Sequence, residues 1–178
     1  MTEDRTPPTK ILAPELGLGW QTGFDIVVDV QEIGHDGEIE RDWNGKYVDM
    51  TEPEFQLYEI RISSSDDMLP PALANMWKGK VFSIVPPNEH TLVIPTGGSS
   101  IQFPRKIHSV RAITMSSENV PVTFLDKVAT LAAPAVEPIR VIVRYEHEVV
   151  VTQPYRNSMQ EREVRYTWDL TTEETGNF

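Results

Sequence analysis

The chain of 178 residues contains no cysteine, and this absence excludes several kinds of chemistry. Without a thiol there is no disulfide framework, no thiolate zinc site and no cysteine nucleophile. The sequence also has no serine in a Gly-x-Ser-x-Gly elbow and no His-Glu-x-x-His spacing. Its isolated histidines are His35, His90, His108 and His147. We therefore predict no catalytic residues, no metal site and no cofactor, and we expect that the protein is not an enzyme.

Long apolar runs and clusters of basic residues are also missing. No apolar run approaches the roughly 18 residues that a membrane-spanning helix needs, so no membrane partner is expected. The chain has 16 Lys and Arg against 27 Asp and Glu, and its net charge is −11. Because affinity for a phosphate backbone requires clustered Lys and Arg, we expect that nucleic acid is not bound.

The excess of acids is confined to the first third of the chain, up to Asp67, and acids and bases balance after it. The simplest interpretation is a solvated surface that keeps the protein soluble. The functional alternative is a surface that repels phosphate or meets a basic partner. The residues of this candidate acidic face are Asp25, Asp29, Glu32, Asp36, Glu38, Glu40 and Asp42.

Alternating residues separated by turn signals dominate the chain. Phe24 to Ile33 alternates as a half-buried strand, and Asn44-Gly45 is a strong turn signal. Ile139 to Val151 and Glu161 to Leu170 alternate in the same way and are predicted to form an antiparallel pair. We predict a mainly β fold: an antiparallel β-sandwich or a partly open barrel with one or two short helices.

The predicted domain organisation is simple. Residues 1–13 are expected to form an extended arm that lies on a neighbouring subunit, and residues 14–172 a single β-rich domain. Within it, residues 88–137 are a possible insertion or a set of long loops, and the Val120–Val136 part is either a helix or a strand followed by a loop. Residues 173–178 are a polar tail.

Residues 60–85 are the stretch around which we interpret the rest of the chain. Tyr58 to Ile62 alternates as a strand, Ser63 to Asp67 has the composition of a polar turn, and Val81 to Val85 is again a strand. Between them apolar residues recur at helical spacing, and Gly79 follows as a stop. The pattern predicts a strand, a turn, one short helix and a second strand.

This short helix is expected to pack against the core. The two prolines suit its first turn, where a missing N–H leaves no hydrogen bond unmade. Asp66 or Asp67 would cap the free amides. The residues expected to hold the helix in place, by packing or assembly contacts, are Pro70, Pro71, Leu73, Met76 and Trp77.

Part of the chain resembles small tail structural proteins of long-tailed, siphovirus-type bacteriophages, which form rings at the distal tail or tail tip. The resemblance lies in Arg41-Asp42-Trp43-Asn44-Gly45-Lys46-Tyr47-Val48-Asp49-Met50, in Phe55 to Ile62, in Asp66 to Val85 and in the C-terminal strands ending Thr-Trp-Asp-Leu-Thr-Thr-Glu-Glu. It covers about half of the chain and leaves the stretch from Asn88 to Glu137 unmatched.

The resemblance implies a non-enzymatic virion protein, assembled in the host cytoplasm, with a tail-tube-like sandwich fold. Its partners would be further copies of itself and the tube, hub and tape-measure proteins, with DNA passing through the ring unbound. The candidate acidic face would then line the channel. Within the same class, a tube, completion or terminator protein is the alternative. From another class, a carbohydrate-binding β-sandwich contacting the host surface is the rival, with Trp43 beside its turn as a sugar-stacking residue.

Overall fold

The computed structural model describes residues 11–18, 25–33, 40–41, 44, 47–48 and 57–176. These residues are mostly β, with 56% of them in strands, almost none in helices, and antiparallel sheets that are not closed into a barrel. This architecture is consistent with a β-sandwich-like fold and confirms the predicted mainly antiparallel β class. Short 3₁₀ turns lie at Pro14–Leu16 and Leu73–Asn75.

The strands of the described residues follow one another in chain order. They are β1 (Ile26–Ile33), β2 (Glu40–Arg41), β3 (Tyr47–Val48), β4 (Leu57–Asp67), β5 (Val81–Ile84), β6 (His90–Ile94), β7 (Ser100–Gln102), β8 (Ile107–Ile113), β9 (Asn119–Val120), β10 (Val122–Leu125), β11 (Val128–Leu131), β12 (Ile139–Tyr145), β13 (His147–Val151), β14 (Arg156–Gln160) and β15 (Arg165–Glu174).

The chain divides into two compact units, each made from separate stretches of sequence. The first unit contains the described residues of 1–14 and 83–147, and the second those of 15–82 and 148–177. The sequence predicted one β-rich domain over residues 14–172. The stretch 88–137, interpreted as a possible insertion or long loops, carries β6 to β11 and belongs to the first unit.

The first unit contains a four-stranded sheet in the order β6-β12-β8-β9 and a three-stranded sheet in the order β10-β11-β7. Its core follows the strict alternation of β12, whose odd-numbered residues from Ile139 to Tyr145 are all buried. Buried residues of the loop and strand after β7, including Phe103 and Ile107, join the same cluster. Of the alternatives left open for 120–136, the strand is correct, since β10 and β11 form a hairpin there.

The end of the predicted arm pairs within its own chain. Leu12 and Val85 exchange two backbone hydrogen bonds, with N···O distances of 3.0 and 2.8 Å, and Ile11 and Ala13 are buried. The expectation that the arm lies on a neighbouring subunit is therefore wrong for Ile11 to Ala13. Residues 1–10 of the predicted arm lie outside the described residues.

The second unit is built on one antiparallel sheet in the order β1-β4-β15-β13-β5, with β14 also pairing β15. β4 is central, because β1 pairs along one side of it and β15 along the other. Alternate residues of β4 and β15, such as Ile60, Ile62, Trp168 and Leu170, are buried. The opposite face of these strands carries polar residues.

Three boundaries differ from the sequence-based predictions. Ser63 to Asp67, predicted as a polar turn, continues β4 because pairing with β15 extends to Asp67 and pairing with β1 covers Ser63 and Ser64. The predicted loop after Pro154 contains β14, which forms a hairpin with β15. The predicted polar tail from residue 173 is also wrong at its start, since β15 runs to Glu174. The buried carboxylate of Glu174 accepts a hydrogen bond from the backbone N–H of Tyr58 at 3.0 Å.

Candidate functional site

The segment predicted as a short helix is a single 3₁₀ turn, and it buries only part of the predicted set. Leu73 and Met76 are buried, Pro71 is buried and Pro70 is half-buried. Trp77 is 59% exposed, so its predicted place in the core is wrong. The 3₁₀ turn covers Leu73–Asn75, and the backbone leaves helical geometry at Met76. Helical spacing therefore does not determine which side Trp77 faces.

The exposed Trp77 ring lies beside a charged residue, Lys80. The Nζ atom of Lys80 lies 5.6 Å from the ring centroid, within the range of a cation–π contact. Gly79, predicted as the stop, has a positive φ of 92° and donates its N–H to the carbonyl of Val151 at 2.8 Å. The chain thus turns at Gly79 and enters β5 close to the predicted residue.

Asp66 and Asp67 do not cap a helix. The 3₁₀ turn has Ala72 at its N-cap and no side-chain capping bond. Asp67 is instead fully buried at the end of β4, where its Oδ2 accepts a hydrogen bond from the indole Nε1 of Trp168 at 2.5 Å. Asp66 forms an ion pair with Arg165 at 3.1 Å. Both aspartates therefore connect β4 to β15. Their partners lie about a hundred residues away in the sequence, so local patterns could not predict these contacts.

The candidate acidic face is only partly described. Asp25, Asp29 and Glu32 are exposed. Asp25, directly before β1, has the same parity as Asp29 of β1, whereas Glu32 has the opposite parity and faces the other side of the sheet. Glu40 lies on β2, and its side chain is not described. Asp36, Glu38 and Asp42 lie outside the described residues.

The described acids of β1 are not isolated from bases and hydroxyls. Asp29 is in register with Arg61 of β4, and the Ser65 hydroxyl donates to Asp25 Oδ2 at 3.4 Å. The structure therefore places Asp25 and Asp29 on a face of mixed charge.

A groove of about 480 Å³ lies on this polar face of the second-unit sheet, and we call it the hydroxyl groove. Its volume falls in the range of small-molecule sites, roughly 300–1,000 Å³. Four neighbouring strands contribute to it in the order β1, β4, β15 and β14. The side chains on this face that line it are Val27, Arg61, Ser63, Ser65, Arg156, Ser158, Thr167 and Asp169.

Strand register explains the shape of the hydroxyl groove. One row across the sheet is Val27, Ser63, Asp169 and Arg156, each residue opposite the next. In the adjacent row Thr167 is opposite Ser158 and donates to the carbonyl of Ser65 at 3.4 Å. Directly opposed residues on one face lie side by side. Short hydroxyl side chains at the centre and longer charged ones beside them leave a trough.

The charged groups of the hydroxyl groove are loosely paired. Arg61 and Asp169 approach to 3.4 Å, a long contact between an exposed and a half-buried group, and ion pairs near the surface contribute little to stability. Arg156 is exposed and has no ion pair with any of the described residues. The serines Ser63 to Ser65 were interpreted from the sequence as a turn, so this groove was missed. The only signal was the alternation of Arg61, Ser63 and Ser65.

In the first unit, the ionisable groups support the fold. Tyr145 stacks on His90 with ring centroids 4.6 Å apart and meets the buried His147 edge-on at 6.1 Å. Arg144 donates to the carbonyl of Pro86 at 3.1 Å, and partial burial lowers its pKa while the charge of Glu89 opposes that shift. A smaller cavity of about 270 Å³ beside Arg144 is lined by residues of β8 and β12.

The remaining expectations from the sequence concern metal ions, membrane-spanning helices and Trp43. Among the described residues, no three His, Cys, Asp or Glu are placed to hold a metal ion. In the same part of the chain, no helix is long and apolar enough to cross a membrane. Trp43, proposed as a sugar-stacking residue, lies outside the described residues.

Comparisons of this chain with protein-family models, with curated proteins and with solved structures found no match.

Proposed function

We propose that the protein is a non-enzymatic structural protein of a bacteriophage tail, which assembles with copies of itself into a ring at the tail tip or tube end. The observation that carries this proposal, beside the sequence resemblance, is that the second-unit sheet ends in open strands. Within the described residues, β1 pairs only with β4, and β14 pairs only with β15. All five residues of β14 are exposed.

Open strand edges favour assembly. An unpaired edge presents backbone N–H and C=O groups that another chain can pair with, and monomeric proteins usually shield such edges. The edges formed by β1 and β14 differ in sequence, so contact between them would be heterologous. Repeated heterologous contacts close into a ring when the rotation between neighbouring subunits is a whole fraction of 360°. This supports a cyclic assembly of identical chains.

Apolar exposure near the 3₁₀ turn supports the same proposal. Met68, Leu69 and Trp77 are 45%, 47% and 59% exposed. Tryptophan and methionine are enriched at the centres of protein interfaces, where an aromatic side chain often provides a large share of the binding free energy. Of the five candidate residues of this segment, Leu73 and Met76 are core anchors, Pro71 is buried, Pro70 is half-buried, and Trp77 is exposed and available for assembly.

Negative-stain electron microscopy and analytical ultracentrifugation of the purified full chain test the proposal. We expect closed rings with a central hole. Met159→Lys adds charge to the exposed strand β14 and is expected to convert rings to smaller species. The matched control is Met115→Lys, since Met115 is 59% and Met159 51% exposed, but Met115 lies between β8 and β9. A monodisperse monomer at all concentrations would refute the ring.

The position of the acidic residues provides a separate test. If the acids line the DNA channel, a reconstruction of the ring will place Asp25 and Asp29 on the wall of the central hole. If they lie on the outer rim, the channel explanation of the charge is lost while the ring itself stands. A tube, completion or terminator protein would form a similar ring, and labelling of intact virions separates these roles by position along the tail.

A further inference from the structure

We propose that the hydroxyl groove of the second unit binds a neutral oligosaccharide. The inference is independent of ring formation, because a single sheet face of one chain supplies all of the lining residues. It also does not use Trp43. The chemical groups of the lining side chains determine which class of ligand the groove can bind.

Side chains are the only recognition groups that the floor of the groove offers. β15 pairs with β4 and β14 along the groove, and β4 pairs with β1 and β15 as far as Ser64. A peptide that binds by adding a strand needs free backbone groups, and on this sheet those lie at the outer edges of β1 and β14 and not on the floor of the groove. The ligand must therefore be one that is recognised by hydroxyl, carboxylate and guanidinium groups.

These groups match the hydroxyls of a sugar. A sugar hydroxyl both donates and accepts hydrogen bonds. Ser63, Ser158 and Thr167 do the same, Asp169 only accepts, and Arg156 only donates. Bonds to the ionised groups are the stronger ones, so Asp169 and Arg156 would fix the orientation of a pair of neighbouring hydroxyls. Directly opposed on β15 and β14, these two residues lie side by side.

An apolar side chain completes the site. Val27 lies in the same row as Ser63 and is 59% exposed. The C–H face of a pyranose ring is apolar, and contact with Val27 would remove both from water. The groove thus offers an apolar contact at its β1 side and polar groups at its β15 and β14 side, as amphipathic sugar rings require.

Charge disfavours an anionic ligand. The two guanidinium groups of the groove, Arg61 and Arg156, are balanced by the carboxylates of Asp169 and Asp25, which lies at its edge. The whole chain has a net charge of −11, so phosphate or a uronic acid would approach against a negative field. A neutral ligand has no such penalty.

The test is a titration of the full-length protein with maltotriose, cellotriose and chitotriose, followed by NMR amide shifts and calorimetry. We expect at least one trisaccharide to shift the amides of Ser63, Asp169 and Arg156. Arg156→Ala and Asp169→Asn should each weaken that binding by about tenfold or more, because each loses a hydrogen bond to a charged group. The matched control Arg162→Ala, an exposed arginine of the turn after β14, should leave it unchanged.

A steric variant is the second test. Ser63→Leu fills the trough on the outer face without touching a core position and should abolish binding, with the circular dichroism spectrum unchanged. Binding that survives this change would overturn the proposal.

Other outcomes would also overturn it. One is the absence of binding by all three sugars up to about 10 mM, which is weaker than ordinary specific recognition. Another is binding of inorganic phosphate or trigalacturonic acid alone, which would make the groove an anion site. A third is that the groove variants lose self-association while the unmodified protein binds no sugar. That result would make the hydroxyl groove a subunit contact.

Discussion

Replacing Trp168 with phenylalanine is expected to lower the free energy of unfolding by about 3 kcal/mol. Trp168 is 1% exposed, and its Nε1 donates to Asp67 Oδ2 at 2.5 Å, where Asp67 has no exposed surface. Phenylalanine keeps an aromatic ring on the buried face and removes this donor. The substitution thus isolates the polar contact more closely than a change to alanine would.

Two losses contribute to that magnitude. A hydrogen bond to a charged group contributes about 1.5–3 kcal/mol, and the buried carboxylate would lose one of its partners. The smaller phenyl ring also leaves a void beside neighbours that relax only partly, which costs roughly another 1 kcal/mol. For a chain of this length, the sum corresponds to a fall in Tm of roughly 10 °C.

Urea unfolding followed by circular dichroism measures the loss, because tryptophan fluorescence would itself change with the substitution. The m-value should be unchanged, which indicates that the change acts on the folded state. The matched control is Trp77→Phe, an identical change at a residue that is 59% exposed, where we expect a difference within about 0.5 kcal/mol. Equal effects at the two positions would refute the assignment of core and surface tryptophans.

Three further predictions concern other described residues. Gly98→Ala should destabilise the first unit by about 1–3 kcal/mol, since the added Cβ would stand 2.8 Å from Cγ2 of Ile94, and thermal unfolding measures this loss. Ser64→Ala should leave stability unchanged or raise it in urea unfolding, because the buried Ser64 hydroxyl has no hydrogen-bond partner among the described residues. The hydrogen bond and charge of Glu146 raise the pKa of Lys106, so this pair stabilises the fold at neutral pH and loses that contribution as pH rises through the raised pKa. An NMR titration should find that pKa above 10.5 and lowered by Glu146→Gln.

Alternation in the sequence was enough to predict the buried faces of several strands. The alternate residues Val141, Val143, Tyr145, His147 and Val149 were predicted to share one face, and all five are buried. The reason is local, because a strand turns successive side chains to opposite sides whatever its partners are. The same argument predicted the half-buried pattern of β1 and the mainly antiparallel class of the fold.

Turn and helix propensities were less reliable where strand pairing competed with them. The run Ser63 to Asp67 has the composition of a turn, but β15 pairs with β4 as far as Asp67 and β1 pairs with Ser63 and Ser64, and this pairing outweighs a weak local preference. The prolines before Leu73 indicated a helix, whereas the chain forms only a 3₁₀ turn.

Tertiary structure alone decided which of two similar tryptophans is buried and where a site lies. Trp77 and Trp168 both stand on apolar patterns, but only Trp168 has a strand on each side and an aspartate at its indole nitrogen. The hydroxyl groove joins Val27, Ser63, Asp169 and Arg156 from strands that are far apart in the sequence. Local pattern shows which side of a strand a residue faces, and only the register between strands shows which residues stand beside it.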